Sequence, residues 1–218
     1  MSCPFSGIKP RWARRKEARP QEVLAAALDL FVERGYAATR LDDIAKHAGV
    51  SKGTLYLYFA NKEDLFMAMV RETVLPVIGE AEQMVLTFDG PSKTLLRDII
   101  NGWWDRIGNT NLSGITKLMM AESGNFPEVA RFYHDEVIAR GNTMIGRMLE
   151  RGIARGEFRA LDVKQTTNLI CASVVMLMMW KHSFSACRVE PIVPEAYLNN
   201  FIDVLLHGVV APSPIPSK

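Results

Sequence analysis

From Gln21 onward the apolar side chains recur at helical spacing. Leu24, Ala27, Leu28 and Phe31 fall at i, i+3, i+4 and i+7, and Pro20 stands where a first helical turn tolerates it. Gly35 ends that element. Thr39 stands three residues before Asp42, a capping-box pattern, and the next stripe is Leu41, Ile44, Ala45 and Ala48 up to Gly49. Ser51 caps a third helix over Lys52–Phe59. Asn61, with Asp64 three residues on, opens a fourth through Leu65, Phe66 and Met69, and Pro76 is expected to kink or break it.

The same reading continues beyond the turn cluster Phe88-Asp89-Gly90-Pro91. Ser92 is placed to cap a helix with the stripe Leu95, Leu96, Ile99, Ile100, Trp103 and Ile107. Further helices are expected over Leu112–Glu122, from Pro127 to Arg155 before Gly156, after the cap pair Asp162 and Gln165, and from Pro194 to near Gly208. No segment alternates as a strand does. The expected fold is all-α with about nine helices: an arm at 1–19, a three-helix helix-turn-helix domain at 20–66, a helical domain at 67–211 and a Pro-rich tail at 212–218.

Composition changes this picture little. The 218 residues carry 26 Lys and Arg against 24 Asp and Glu, with 48% apolar and 23% charged, as in globular proteins generally. The longest apolar run, Leu169 to Trp180, is too short for a membrane span, and no apolar stretch follows the N-terminal arginines as in a secretory signal. A cytoplasmic protein is expected. Cys3, Cys171 and Cys187 have neither disulfide-framework nor zinc-site spacing, and no metal or cofactor is expected.

Charge by segment says more. Residues 1–19 hold Lys9, Arg11, Arg14, Arg15, Lys16 and Arg19 against Glu17 alone and lack helical periodicity, which defines a basic arm. A solvated terminus and a nucleic-acid contact both fit it. Residues 20–62 balance five basic against five acidic side chains, so the arm is the source of long-range attraction to DNA.

The stretch Leu41–Phe59 has small residues where a helix-turn-helix needs them. Ala45 lies at the helix crossing, Gly49 permits a positive φ in the turn, and Val50 and Leu55 fill the angle. An αα-hairpin without DNA would use the same residues; the surface of the second helix separates the two. Lys52, Gly53, Thr54, Tyr56 and Tyr58 form a face of donors, with one long side chain near its start, that lets backbone approach a groove.

These residues resemble the TetR family of transcriptional regulators. The match runs through Thr39-Arg40-Leu41-Asp42-Asp43-Ile44-Ala45, Ala48-Gly49-Val50-Ser51-Lys52-Gly53-Thr54-Leu55-Tyr56, Phe59 and Asn61-Lys62-Glu63-Asp64-Leu65, with Leu57 and Ala60 departing from the common pattern. The run Glu122–Phe158, with Asn125-Phe126-Pro127 and Arg155-Gly156-Glu157-Phe158, resembles the AefR-like C-terminal domains of that family. The resemblance implies that Thr39, Arg40 and Lys62 meet phosphates. It implies that Ser51, Lys52, Gly53 and Thr54 enter the major groove, and that Tyr56 and Tyr58 touch phosphates or thymine methyls. Arg11, Arg14 and Arg15 of the arm are candidates for minor-groove or phosphate contacts.

The family also implies a homodimer on a palindromic operator and an inducer cavity. Apolar surplus on the last two helices places the interface at Ala172, Val175, Met179, Phe201, Ile202 and Leu205. The Met and Trp concentration places a small hydrophobic ligand at Trp103, Ile107, Met119, Met120, Phe132, Met148, Met176 and Trp180. The expected function is repression relieved by that ligand; control by a protein partner, with no small-molecule pocket, is the alternative. No catalytic motif occurs: His47, His134, His182 and His207 lack catalytic or metal spacing, and phosphate-binding and nucleophile-elbow signatures are missing. Gly152 and Gly156 are read as close helix packing and a C-cap.

Overall fold

The computed structural model describes residues 11–184, 187 and 190–209, with side-chain surroundings from residue 20 to 208 of that span. Every regular element among the described residues is helical. In order these are α1 (Arg11–Arg34), α2 (Leu41–His47), α3 (Lys52–Tyr56), α4 (Lys62–Thr73), α5 (Leu75–Thr87), α6 (Ser92–Trp103), α7 (Ser113–Glu122), α8 (Pro127–Tyr133), α9 (Ala139–Ala154), α10 (Val163–Met179) and α11 (Pro194–Val209). Three π-turns, at Trp104–Gly108, His134–Ile138 and Trp180–Phe184, extend α6, join α8 to α9 and extend α10. The all-α expectation holds: with the π-turns absorbed and the α4–α5 pair taken as one broken rod, nine rods remain among the described residues.

The chain divides into two compact units, one up to Met69 and one from Val70, with α4 contributing to both. In the first unit α1 packs its stripe of Val23, Leu24, Ala27, Leu30 and Phe31 into the core. Phe31, Tyr36 and Phe66 close that core as an aromatic triad, with ring centroids 5.3 to 5.7 Å apart. Burial first, and the Glu63 carboxylate second, push the Tyr36 phenol well above its usual range.

α1 begins at Arg11, not at Pro20, so the backbone of the proposed arm from Arg11 is helical and Pro20 lies inside the helix. Arg, Lys, Ala and Glu are strong helix formers, and their propensity carries the helix through a proline whose missing N–H costs one bond. The surroundings of the Arg11, Arg14 and Arg15 side chains, residues 1–10 and the 212–218 tail lie outside the described residues.

The caps show which local signals were sufficient. The Ser51 hydroxyl accepts from Thr54 N at 3.1 Å, Asn61 Oδ1 from Asp64 N at 2.7 Å and Asp162 Oδ1 from Gln165 N at 3.0 Å, as expected. Two expected caps differ. Arg40 is the N-cap residue of α2, and Thr39 is buried at 1% exposure, its hydroxyl directed at Leu30 O (3.1 Å) and Gly35 O (2.7 Å) near the end of α1. Ser92 is also buried; its N–H donates to the distant Glu157 carboxylate, and its hydroxyl accepts from Arg151, which also donates to Phe88 O and Gly90 O.

In the second unit Val74 interrupts the rod ahead of Pro76, as the proline predicts. A Cβ on Gly152 would overlap the Phe158 ring, and Gly156 has φ 70°, so these two glycines serve close packing and helix termination.

Candidate nucleic-acid interface and ligand cavity

In the first unit α2 and α3 are joined through Gly49 at φ 67°, a conformation that residues with a Cβ rarely adopt. Ile44, Ala45 and Leu55 are buried at their junction. The outward side of α3 carries Ser51, Lys52, Gly53 and Tyr56 exposed, with Thr54 and Tyr58 half-buried. Leu57, 81% exposed, follows at the helix end. Lys52 Nζ lies 2.8 Å from Asp42 Oδ1 and 5.9 Å from the Tyr56 ring centre. The hydrogen bond to Asp42 holds the Lys52 ammonium above its usual range, so it is a cation at any working pH. Arg40 is exposed at the start of α2.

Two residues of the expected DNA set are engaged internally. Thr39 has no outward surface, because its hydroxyl serves the end of α1. The Lys62 ammonium donates to Tyr36 O at 2.8 Å, Thr39 O at 3.2 Å and Ala37 O at 3.3 Å, and lies 4.5 Å from the Tyr36 ring centre. Its three protons close the α1–α2 loop instead of reaching outward. Sequence spacing could not distinguish these roles, since a loop staple and a phosphate clamp need the same side chain.

The second unit holds a cavity of about 670 Å³ enclosed by α5 to α10. Trp103, Met119, Met120 and Met148 line it, as expected. The other four expected residues do not. Ile107 is buried in the core of the first π-turn, and the Phe132 ring carries the Arg71 guanidinium at 4.8 Å. Met176 is 50% exposed, and Trp180 pairs with Phe184 at 5.2 Å.

Unexpected lining residues include Met84, Tyr133, Ile138, Asn142, Cys171 and Met178. Two polar contacts lie among them. Thr116 Oγ1 and Tyr133 Oη lie 3.2 Å apart, and Cys171 Sγ donates to Asn142 Oδ1 at 3.3 Å. Burial raises the pKa of both the Tyr133 phenol and the Cys171 thiol, so each stays protonated. Gly102 and Gly141 both line the space, and a Cβ on either would meet nothing within 4 Å. A glycine inside a helix costs about 1 kcal/mol relative to alanine, and that was the available sequence signal.

The expected interface is only partly at the surface. Ile202 is buried in the unit's own core and Val175 lines the cavity. Ala172 is exposed, while Met179, Phe201 and Leu205 are half-buried. The exposed apolar stripe of α10 is Leu169 (68%), Ala172 and Met176, at i, i+3 and i+7, and Val204 of α11 is 63% exposed.

A helix-turn-helix unit whose recognition face is held open, followed in the chain by a helical unit built around an apolar cavity, defines a DNA-binding transcriptional regulator. The chain belongs to the TetR family: residues 23–69 match the model of the bacterial regulatory proteins of that family, and residues 94–205 match that of the AefR-like transcriptional repressor C-terminal domain. The fatty acid metabolism regulator protein of Bacillus subtilis is 29% identical over 163 residues, 73% of this chain and 82% of that protein. The transcriptional repressor KstR2 of Rhodococcus jostii is 24% identical over 199 residues, 90% and 94% of the two chains. Among solved structures, FadR from Bacillus subtilis in complex with stearoyl-CoA superposes with a TM-score of 0.71 at 23% identity, covering 86% of this chain and 98% of that one, and so shares the fold. The named relatives are regulators, and no described helix is long and apolar enough to cross a membrane.

Proposed function

We propose that this regulator is a cytoplasmic homodimeric repressor that leaves a palindromic operator when a small hydrophobic ligand occupies the cavity of the second unit. The observation that carries this reading is the cavity itself: about 670 Å³, inside the size range of ligand sites, with Thr116 paired to Tyr133 and Cys171 to Asn142 inside it and most of its lining apolar. A protein-docking module without a small-molecule site has no use for such a space. Relatives named for fatty acid metabolism and for repression support the same reading.

In the dimer, two copies of α3 enter successive major grooves about 34 to 36 Å apart, or a multiple of that. Ser51, Lys52, Gly53 and Thr54 lead, Arg40, Tyr56 and Tyr58 flank them, and Arg11, Arg14 and Arg15 supply phosphate or minor-groove contacts. Ligand entry favours the arrangement of cavity helices in which α4 is tilted, and only the unliganded spacing fits the operator. Selection of bound DNA from a random pool, followed by release from the selected site with an apolar metabolite panel, tests the proposal. A palindrome released by a cavity ligand is expected. A non-repeated site, or no release by any compound that raises the melting temperature, removes the dimer or the induction step respectively.

A further inference from the structure

The charges at the mouth of the cavity extend this reading from a hydrophobic ligand to an amphiphile of defined sign. Three large apolar side chains that line the cavity, Met84 of α5, Met120 of α7 and Ile138 of the second π-turn, are 43%, 60% and 45% exposed. The apolar surface therefore continues from the interior out to solvent, as a channel for a chain rather than a closed chamber for a compact molecule. The interior has no charged side chain. The charged lining residues, Glu80, Asp98 and Arg106, are all exposed, and Arg106 is the one cation among the described lining residues.

Arg106 stands in the π-turn Trp104–Gly108, eight residues after Asp98 and four after Gly102, which both line the cavity. Residues three and four apart share a helix face, so Arg106 stands on the cavity side with Trp103 and Gly102. Its Nη1 donates to Glu80 Oε2 at 2.6 Å. That hydrogen bond holds Glu80 below the usual carboxylate range and Arg106 above its own, so the pair is fully ionised. Both side chains are substantially exposed, and an exposed pair of this kind is cheap to exchange. The guanidinium offers five donors in a planar fork suited to two oxygens of one anion.

We propose, resting on the cavity's role as the ligand site, that its ligand is an amphiphile with one long apolar chain inside and an anionic head group at the mouth, and that Arg106 is the head-group receptor, exchanging Glu80 for the ligand's oxygens. The carboxylate of a free long-chain acid and the phosphates of an activated thioester offer the same chemistry. Glu80 and Asp98 are the acidic alternative, a receptor for a cationic head, and the same experiment decides against one of the two.

Full-length protein is titrated by calorimetry with hexadecanoate, hexadecanoyl-CoA, hexadecan-1-ol and hexadecyltrimethylammonium, each below its aggregation threshold. One or both anionic ligands bind at least tenfold more tightly than the alcohol, and which one does so identifies the source of the anion. R106M brings the anions down to the affinity of the alcohol, R106K restores part of the preference, and E80Q, which removes the competitor, tightens anion binding severalfold. Shorter acids of the preferred class lose about fourfold per methylene removed from the buried chain. Equal binding of the alcohol, preference for the ammonium, or a preference that survives R106M overturns the anionic head while leaving the cavity as the ligand site. Failure of all four to bind overturns the site as well.

Discussion

Lys62 and Lys52 show how one residue type serves two purposes in a single small unit. Lys62 is bound to three carbonyls of the α1–α2 loop, so Lys62→Met leaves those acceptors without their cation and should cost about 1 to 3 kcal/mol in urea denaturation. The dependence of DNA affinity on salt should stay as it is, because no phosphate contact is lost. Lys52 is the reverse case. It is exposed and, among the described residues, tied only to Asp42 and the face of Tyr56, so Lys52→Ala should leave the urea midpoint within about 0.5 kcal/mol. In a gel-shift titration the same variant should weaken operator binding by about 1 to 3 kcal/mol. A third residue-scale prediction concerns Glu82, whose carboxylate takes two hydrogen bonds from Arg140, at 2.6 and 3.0 Å, that hold it below the usual range. A depressed carboxylate stabilises the fold above its unfolded pKa and loses that contribution as pH falls through its folded value. The urea midpoints of wild type and Glu82→Gln should therefore differ at pH 7 and converge as the pH is lowered through the acid range.

At the scale of helices, the elements were legible where the signal is local. The caps Ser51, Asn61 and Asp162, the break at Pro76 and the turn glycine Gly49 each act through neighbours a few residues away, and each was found. Thr39 misled because a threonine three residues before an aspartate satisfies the capping pattern, whereas its hydroxyl serves carbonyls near the end of the preceding helix. The cavity was half legible for a related reason. Helical periodicity shows which side of a rod faces inward, and so Trp103, Met119, Met120 and Met148 were found. It does not show where facing rods fail to meet, and Phe132 and Met176, on the same kind of stripe, turned out to serve Arg71 and the surface. Gly102 and Gly141 carried that missing information. Gly102→Ala and Gly141→Ala should each stabilise the protein by about 1 kcal/mol in thermal or urea melts, since the new methyl enters open space and the helix gains propensity. The same methyls narrow the cavity, so ligand affinity should fall while stability rises.

For the molecule as a whole, the exposed stripe Leu169, Ala172 and Met176, with Val204, is the surface that association should cover. Leu169→Glu with Met176→Glu should convert the proposed dimer to a folded monomer by light scattering, since neither side chain belongs to the unit's own core. Operator affinity should fall in parallel, because one reading head contacts only half a palindrome. The basic segment at the start of α1 acts at the same scale. Replacing Arg11, Arg14 and Arg15 with glutamine should reduce the slope of log affinity against log salt by about 0.9 for every phosphate they meet, on specific and random DNA alike.

The open space within the second unit has one more consequence, for the lifetime of the protein. A compound that binds only the folded chain adds stability in proportion to the logarithm of its concentration, about 2.7 kcal/mol at a hundred times its dissociation constant. Proteases that act on transiently opened molecules sample a correspondingly smaller population. Under the proposed mode of induction, a cell rich in the cavity ligand would therefore hold more of this regulator, as well as less of it on DNA. In that mode, derepression would accumulate a reserve of protein ready to shut the genes again once the compound is consumed.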